Sequence, residues 1–398
     1  MSGSAKRLDS KEVKQGRLKA AFADPRGLFT QAFIVFSLIA VVWFLADNTI
    51  ENLRARGITT GFAFLWRPNS LPIPNSWLEY SAGISTYGRA ITIGFLNTLT
   101  VSFIVIVLST ILGTFVGIGR LSPNWLLSRS CGAYVEALRN VPVLLQLLFW
   151  YQLLLQLPPP KRALNLVDGV FVSNRGIRFP TLEPDPWHMW IGLALAFGVG
   201  VTIWASRWSR RRRERIGSSP VIWPLAVVLI VGLPFAMLQF SGASTAVQAP
   251  QLIGFDFRGG GALTPELSAL VIGLTIYSSA FVAEIVRAGI LAVPGGQWEA
   301  ARSLGLRNGT TLRKIVLPQA LRIIVPPITS EYLGIIKNSS LAVAVGYPDL
   351  VAIVTTMLSD TGQAVEGVAI IMLAFLAVSL CVSLFMNWYN ARVVLVVR

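Results

Sequence analysis

Residues 299–318 read EAARSLGLRNGTTLRKIVLP, a polar and mostly basic stretch between two strongly apolar segments, 266–290 and 319–345. Each apolar segment is long enough, at about 1.5 Å per helical residue, to cross a hydrocarbon core of about 30 Å. Backbone polar groups inside a bilayer must be satisfied within the protein, so segments of this kind are expected to be helices. The stretch 299–318 is therefore predicted to join two membrane-spanning helices.

Long apolar runs recur along the whole chain. The 398 residues are 54% hydrophobic and only 13% charged, which is too apolar for an ordinary soluble domain. Six further runs are predicted to span the bilayer: 28–46, 93–118, 138–157, 190–206, 221–240 and 365–388. The expected fold is an all-α membrane protein with about eight transmembrane helices.

The positive charge of the chain is distributed unevenly about these spans. The net charge is +15, and with the N-terminus inside, 23 of the 34 Lys and Arg residues fall on the inner side. This is the positive-inside bias of membrane proteins, and it predicts a multi-pass protein with both termini cytoplasmic. The run Arg210–Arg213 is accordingly expected to anchor the topology and contact lipid headgroups rather than nucleic acid.

The loop between the two spans has the features of a short surface helix. Gln297–Leu304 contains good helix formers and small residues that permit close docking. Gly305 is a natural helix stop, and Pro318 is predicted to begin the next span, where a proline loses no needed hydrogen bond. A stiff, exposed helix here could receive a mechanical push from another protein.

The spacing within this loop matches a known pattern. Glu299-Ala300-Ala301 is followed by Gly305 and then by Ile315-x-Leu317-Pro318. This resembles the EAA loop of permease subunits of bacterial ABC importers, in which the loop meets a separate ATPase. The resemblance implies that the ATPase-coupling residues are Glu299, Ala300, Ala301, Gly305, Ile315, Leu317 and Pro318.

Four further stretches carry the same resemblance: Asn97–Leu99, Glu136–Pro142, Tyr277–Ile290 and Lys337–Leu341. Together they resemble the polar amino-acid branch, the histidine/glutamine permease family. The resemblance implies the five-helix core of an ABC type I importer permease. That core would consist of the spans 93–118, 138–157, 266–290, 319–345 and 365–388.

The remaining sequence departs from five-helix members and resembles the long-insert subunits of general L-amino-acid and glutamate/glutamine-type systems. Within the insertion, Val170–Phe179 is predicted to form a hairpin, and Gly259–Gly261 to be a flexible end. The predicted regions are a cytoplasmic basic arm (1–27), an extra span with an outer loop (28–92), the first part of the core (93–157), the two-span insertion (158–265), and the second part of the core (266–398) with the coupling loop 295–318.

The resemblance also implies the function: ATP-driven translocation of L-amino acids across the bacterial cytoplasmic (inner) membrane. The expected partners are cytoplasmic ATPase subunits, a second permease subunit in a heterodimer, and a periplasmic or extracellular amino-acid-binding protein. ATP and Mg would be bound by the ATPase, since this chain has no GxxxxGK[ST] loop. We expect no catalytic residues, cofactor or metal on this chain, and His188 is interpreted as an interfacial anchor.

Four charges lie well inside predicted spans: Glu284, Arg287, Glu331 and Lys337. Such charges are costly and are expected to face the bundle interior or a cavity. Glu284 and Arg287, at spacing i,i+3, are predicted to form a structural ion pair, and Lys337 could extend its amine toward the interface.

Glu331 has no charged partner one turn away. The residues that we expect to line a translocation path are Tyr277, Ser278, Glu331 and Asn338. Serines in spans also commonly bond their own backbone, so a structural role for Ser278 stays open. An alternative function is an autonomous, ion-coupled secondary amino-acid transporter that uses Glu331 beside Pro326-Pro327.

Overall fold

The computed structural model describes residues 25–55, 61–74, 78–183, 185–218 and 220–393. Most of the predicted basic arm 1–27 lies outside these residues. The chain divides into two compact units. Unit 1 is Met1–Ile93 with Ile353–Leu376, and unit 2 is Gly94–Ala352 with Ala377–Arg398.

The described residues are predominantly helical, as predicted. Six helices are long and apolar enough to cross a membrane, and the number rises to eight if each of two bent pairs is one span. The helices are α1 (Pro25–Ala55), α2 (Tyr87–Gly119), α3 (Trp125–Arg139), α4 (Val143–Leu155), α5 (Pro186–Ile216), α6 (Trp223–Val227), α7 (Leu233–Ser241), α8 (Pro265–Leu291), α9 (Gly295–Ser303), α10 (Asn308–Thr311), α11 (Leu317–Asn338), α12 (Leu350–Thr361) and α13 (Ala364–Val393).

In unit 1, the segment between α1 and α2 is held by hydrogen bonds around Asn69. Its side-chain amide donates to the carbonyl oxygen of Ser85 (2.9 Å), and its Oδ1 accepts from the Tyr80 hydroxyl (2.6 Å). A short 3-10 helix, Phe62–Trp66, buries Phe64 edge-on against the Tyr87 ring. The predicted outer loop 47–92 therefore has a defined structure where it is described.

Helix α8 is the centre of unit 2, with more than half of its 27 residues buried. Helix α2 approaches it closely at Gly113 and Gly117. A Cβ at Gly113 would lie 2.6 Å from the Val282 Cβ, and one at Gly117 would lie 2.6 Å from the Ala283 carbonyl oxygen. The small residues thus let two helix backbones meet, which is the packing role that G-x-x-x-G commonly has in membranes.

The prediction of a single span over 138–157 was wrong. Helices α3 and α4 meet there at an angle of 103°, and α4 covers only Val143–Leu155. The break lies at Pro142, whose ψ of 136° is extended. A proline also disfavours helical conformation in the residue before it, so the chain turns at this point.

The predicted span 319–345 ends where the helical run ends, at Val345. Helix α11 continues into a 3-10 turn, Ser339–Val345, and Gly346 then adopts a φ of +79°. The chain bends by 51° into α12, a further helix that the sequence did not predict.

Pro318 lies in the first turn of α11, as predicted, but the helical run does not begin there. The helical run starts at Asn308 and passes through a π-helical turn, Leu312–Val316, just before the proline. There the Leu317 amide donates to the Leu312 carbonyl oxygen, five residues back. Because proline lacks an N–H and crowds the carbonyl four residues earlier, the wider turn accommodates it. A second π turn, Val228–Gly232, accommodates Pro234 in the same way.

The insertion combines a helical hairpin with eight short strands. Gly198 of α5 lies so close to the π turn after α6 that a Cβ would be 2.2 Å from the Leu229 carbonyl oxygen. The strands are β1 (Leu164–Val167), β2 (Val170–Ser173), β3 (Gly176–Phe179), β4 (Thr181–Leu182), β5 (Val247–Gln248), β6 (Gln251–Ile253), β7 (Asp256–Arg258) and β8 (Gly261–Leu263).

One four-stranded antiparallel sheet, in the order β1-β2-β3-β8, joins the two ends of the insertion. The predicted hairpin is confirmed, since Ser173 pairs with Gly176. The prediction that Gly259–Gly261 is flexible was wrong. Gly261 lies in β8, and a Cβ on it would be 2.6 Å from the Phe179 ring. The glycines therefore allow close packing directly before α8 begins.

Candidate functional site

Helix α9 occupies the loop predicted to contain a surface helix. It ends in a Schellman motif: Gly305 has a φ of +69°, its amide donates to the Arg302 carbonyl oxygen (2.9 Å), and the Leu306 amide donates to the Ala301 carbonyl oxygen (3.1 Å). Glycine adopts this left-handed conformation without the steric penalty that a Cβ brings. The sequence thus stops α9 at a defined residue and turns the chain toward α10.

The two faces of α9 differ sharply in exposure. Ala301 on the inward face is 1% exposed, and Trp298, one turn earlier, packs against a buried cluster that includes Val293 and Val316. Glu299 and Ala300 are exposed on the other face. The outward face therefore presents a carboxylate and a small side chain to any protein that docks there.

The remaining residues of the predicted coupling set lie after α10. Ile315 and Leu317 are half-buried around the π turn, and Pro318 is exposed. Val316 between them is fully buried, although the sequence pattern did not single it out. The Gln319 side chain donates to the Gln297 side-chain oxygen at 3.3 Å, which joins the start of α11 to α9.

A cavity of about 730 Å³ opens beside α9. Its lining is mainly apolar and comes from the ends of α2 and α8, from Trp298 on α9, and from Leu312. Helix α9 is thus held against the bundle along one edge and faces open space along another.

A second group of predicted residues lies on α8 and α11. The Tyr277 ring packs against Phe281 with centroids 4.9 Å apart, and the Arg139 guanidinium lies 5.1 Å from the Phe281 ring centroid. The half-buried Glu331 carboxylate is within electrostatic range of Tyr277 and Arg139. We call Arg139, Tyr277, Ser278, Phe281 and Glu331 the polar cluster.

Within the polar cluster, the Ser278 hydroxyl is fully buried and makes no hydrogen bond of ordinary geometry. The Thr275 hydroxyl, one turn earlier on α8, is in the same situation. By contrast, the Ser279, Ser339 and Ser340 hydroxyls donate to carbonyl oxygens three residues earlier on their own helices. Buried polar groups normally have partners. The Ser278 hydroxyl lies close enough to the Glu331 carboxylate to interact with it, whereas the Thr275 hydroxyl is buried without a partner.

The other two predicted residues of α11 lie further along the helix. Asn338 is half-buried at the last residue of α11, two helical turns beyond Glu331. Lys337 is exposed, as expected for a long basic side chain that extends toward an interface.

Glu284 and Arg287 form the i,i+3 ion pair, with Arg287 Nη2 at 2.5 Å from Glu284 Oε1. A third residue joins them: Arg120, directly after α2, donates to Glu284 Oε2. The sequence placed Arg120 among the inner-side arginines but gave no sign of this partner, which is 164 residues away. We call Arg120, Glu284 and Arg287 the ion triad.

Comparison with known proteins identifies the family of the chain. The family model "Binding-protein-dependent transport system inner membrane component" matches residues 191–395. A putative amino-acid ABC transporter permease of Escherichia coli is 46% identical over 382 residues, 95% of this chain and 97% of its own. The chain belongs to this family of ABC permeases.

Two further relatives of this permease have the same long form. A general L-amino acid transport system permease of Rhizobium johnstonii is 42% identical over 96% of each chain. A glutamate/glutamine/aspartate/asparagine transport system permease of Rhodobacter capsulatus is 37% identical over 92% of this chain and 93% of its own. The predicted family is therefore confirmed, and the permease is a multi-pass inner-membrane protein.

Proposed function

We propose that this permease carries L-amino acids inward across the cytoplasmic membrane, and that a separate ATPase drives it through α9. The relatives named above are permeases for amino acids, and they align with almost the whole chain. The coupling residues remain those of the predicted set, with Glu299 and Ala300 on the exposed face of α9 as the main contact.

The observation that supports this proposal most strongly is the construction of α9. A short helix that is capped by a Schellman motif and packed through Ala301 moves as a rigid body. It connects through only three residues, 292–294, to the central helix α8. A displacement applied to its outward face would therefore be passed to α8 rather than absorbed in a loop.

The proposed assembly follows from this arrangement. Two cytoplasmic ATPase subunits, which would hold ATP and Mg, contact α9 of this permease and of a second permease subunit. An amino-acid-binding protein delivers solute on the opposite side of the membrane. The proposed topology has both termini in the cytoplasm, and the proposed regions keep the boundaries predicted from the sequence.

We propose the polar cluster as part of the translocation path. A zwitterion needs an anion for its ammonium and a cation for its carboxylate, and Glu331 and Arg139 supply one of each. Thr275 adds a buried hydroxyl without a hydrogen-bond partner, and Ser278 adds a buried hydroxyl that interacts with the Glu331 carboxylate. The sequence led us to expect Tyr277, Ser278, Glu331 and Asn338 on this path, and we add Arg139 to the proposed set.

The alternative of an ion-coupled secondary transporter rests on Glu331 and the two prolines of α11. Membership of a binding-protein-dependent family weighs against it, because such systems include a separate motor and a binding protein. Nothing in the arrangement of the polar cluster requires a bound ion.

Crosslinking tests the proposed contact of α9. In a chain whose Cys131 and Cys381 are replaced by Ser, Ala300→Cys is expected to form a crosslink with a cysteine placed on the ATPase surface. Phe255→Cys is a matched control, because Phe255 is 76% exposed but precedes the opposite end of α8. Crosslinking at Phe255 and not at Ala300 would reject the proposal.

A further inference from the structure

The ion triad joins two helices that are far apart in sequence. Arg120 donates to one carboxylate oxygen of Glu284, and Arg287 donates to both, at 2.5 Å to Oε1 and at 3.3 Å to Oε2. Each oxygen of a single carboxylate therefore faces a guanidinium group. Hydrogen bonds between charged groups are among the strongest in proteins, so this contact fixes the end of α2 to α8.

The triad is largely shielded from solvent. The side chains of Arg120, Glu284 and Arg287 are 17%, 26% and 30% exposed. An ion pair in such surroundings is screened less by water and salt than a surface pair is. It can therefore hold a fixed geometry while neighbouring parts of the protein move.

The contacts around the triad make the ends of α2, α3 and α8 into one body. Two turns or less before Arg120, Gly113 and Gly117 bring the backbone of α2 against α8. The Ser128 hydroxyl of α3 donates to the Arg120 carbonyl oxygen at 2.9 Å. The Tyr134 hydroxyl of α3 lies 2.7 Å from Ser279 Oγ on α8.

The triad also lies near the end of α8 that connects to α9, so a displacement of α9 acts first on this part of the helix bundle. Arg287 is one helical turn before α8 ends at Leu291, and α9 begins at Gly295. Any force that α9 exerts on α8 reaches Glu284 before it reaches the polar cluster. Helix α2 has no covalent link to α9 nearby, so it depends on noncovalent contacts of this kind to follow that motion.

We infer that Arg120 is a positioning residue for energy coupling: through Glu284 it makes α2 move together with α8 when α9 is displaced. This inference rests on the proposed function of α9 and adds a second helix to the moving body. Removing the Arg120 charge leaves α8 attached to α9 but weakens the attachment of the end of α2 to α8. ATP hydrolysis then continues while solute movement per ATP declines.

The test compares ATP hydrolysis and uptake in the complete importer, reconstituted with its ATPase, second permease and binding protein. For Arg120→Gln, uptake per ATP is expected to fall by about fivefold, within the usual range for residues that carry coupling between sites. Arg129→Gln is the matched control, since Arg129 is an exposed arginine on nearby α3, and its ratio is expected to stay within about twofold.

Exchanging the charges of residues 120 and 284 tests whether Arg120 positions α2 for coupling or only stabilises the fold. Combining Arg120→Glu with Glu284→Arg restores an opposite-charge pair between the end of α2 and α8, although it places two arginines at i,i+3 on α8, and it is expected to restore part of the ratio. An unchanged ratio in Arg120→Gln would overturn the inference. So would equal losses of uptake and hydrolysis with no recovery after the exchange, because a merely structural role produces that result.

The outcome for α9 is read separately, from the Ala300→Cys crosslink in the same preparations. If this crosslink forms and the Arg120→Gln ratio is unchanged, the role of Arg120 fails while the proposed function stands. If the crosslink is absent in the chain with native Arg120, the proposed function itself fails, and the inference falls with it.

Discussion

The two ends of α8 present the same charge pattern in different settings. At the end next to α9, Glu284 lies between Arg120 and Arg287. Just before the other end, Asp256 on β7 pairs with Arg175 at 2.7 Å and with Arg178 at 3.7 Å. These pairs are the four ion pairs found in the described ranges of the chain.

The surroundings of the two carboxylates differ in a way that suggests different roles. Glu284 joins separate helices and is largely shielded, whereas Asp256 joins two hairpins of the insertion and pairs with Arg175, which is 54% exposed. Next to Asp256, the Phe171 and Phe257 rings stack at 4.7 Å and already hold the hairpins together. We therefore expect the Glu284 contacts to support coupling and the Asp256 contacts to support local stability.

The largest expected difference is between Glu284→Gln and Asp256→Asn. Loss of the Glu284 charge leaves two arginines facing each other without a carboxylate, so uptake by the complete importer is expected to fall by about tenfold. Asp256→Asn is expected to keep uptake within about twofold, as for an exposed pair. Equal effects of the two substitutions on uptake would remove the distinction between the two ends.

Glu331 sharpens the comparison because it is a carboxylate on the proposed path rather than in an ion pair. Glu331→Gln is expected to lower uptake by about fivefold, since an amide offers a weaker partner to an ammonium group. Copurification with the ATPase is expected to be unchanged. Uptake kinetics like those of the native chain would remove Glu331 from the path.

Disrupting the close packing of α2 on α8 is expected to have a smaller effect, which is on the free energy of unfolding. Gly113→Val places new atoms against Val282 and the Ser279 carbonyl oxygen, and overpacking of this kind typically costs about 1–3 kcal/mol. Gly132→Ala is the control, because nothing lies within 4 Å of a Cβ there. Thermal unfolding in detergent compares the two. Equal melting temperatures would show that α2 and α8 do not need this contact.

The smallest expected effect concerns pH in the insertion. Partial burial raises the pKa of the Asp256 carboxyl, but hydrogen bonds from Arg175 and the Phe257 amide and the charges of both arginines outweigh it, so this pKa lies below its ordinary value. A lowered pKa stabilises the folded state above the unfolded pKa of about 3.9, and this stabilisation disappears as pH falls through the folded pKa.

Hydrogen exchange in β2 and β3 measures this dependence. Native protein is expected to protect these amides more than Asp256→Asn does at neutral pH, by about 0.2–1 kcal/mol, the usual range for exposed pairs. Below the folded pKa of Asp256 the two proteins are expected to be alike. A difference that grows as pH falls would have the wrong sign for this account.

Local sequence signals predicted the elements that depend on local physics. The span 266–290 agrees with α8 within one residue at each end, because a long apolar run between polar stretches leaves little choice in a bilayer. Gly305 correctly marked the end of α9, since a glycine after helix formers is a common C-terminal signal. The hairpin over Val170–Phe179 followed from its turn residues, Asn174-Arg175-Gly176.

Local sequence signals did not predict the helix bends or the π turn, where a helix-breaking residue lies within a helical pattern. They also did not predict contacts between residues far apart in sequence. The predicted span 138–157 ran across Pro142, so overall hydrophobicity concealed the bend there, and it also gave no sign of α12 beyond Gly346. The apolar pattern before Pro318 gave no sign that a π turn would carry the helix past the proline. The partnership of Arg120 with Glu284 spans 164 residues, and no spacing rule reaches that far.

Reconstituted uptake distinguishes an ATP-driven importer from an autonomous transporter. The permease is placed in vesicles either with its ATPase, second permease and binding protein, or by itself with an imposed ion gradient. Amino-acid uptake is expected only in the complete assembly and only when ATP is supplied. Uptake by the isolated permease in response to the gradient, without ATP or an ATPase, would show that α9 does not receive the driving force.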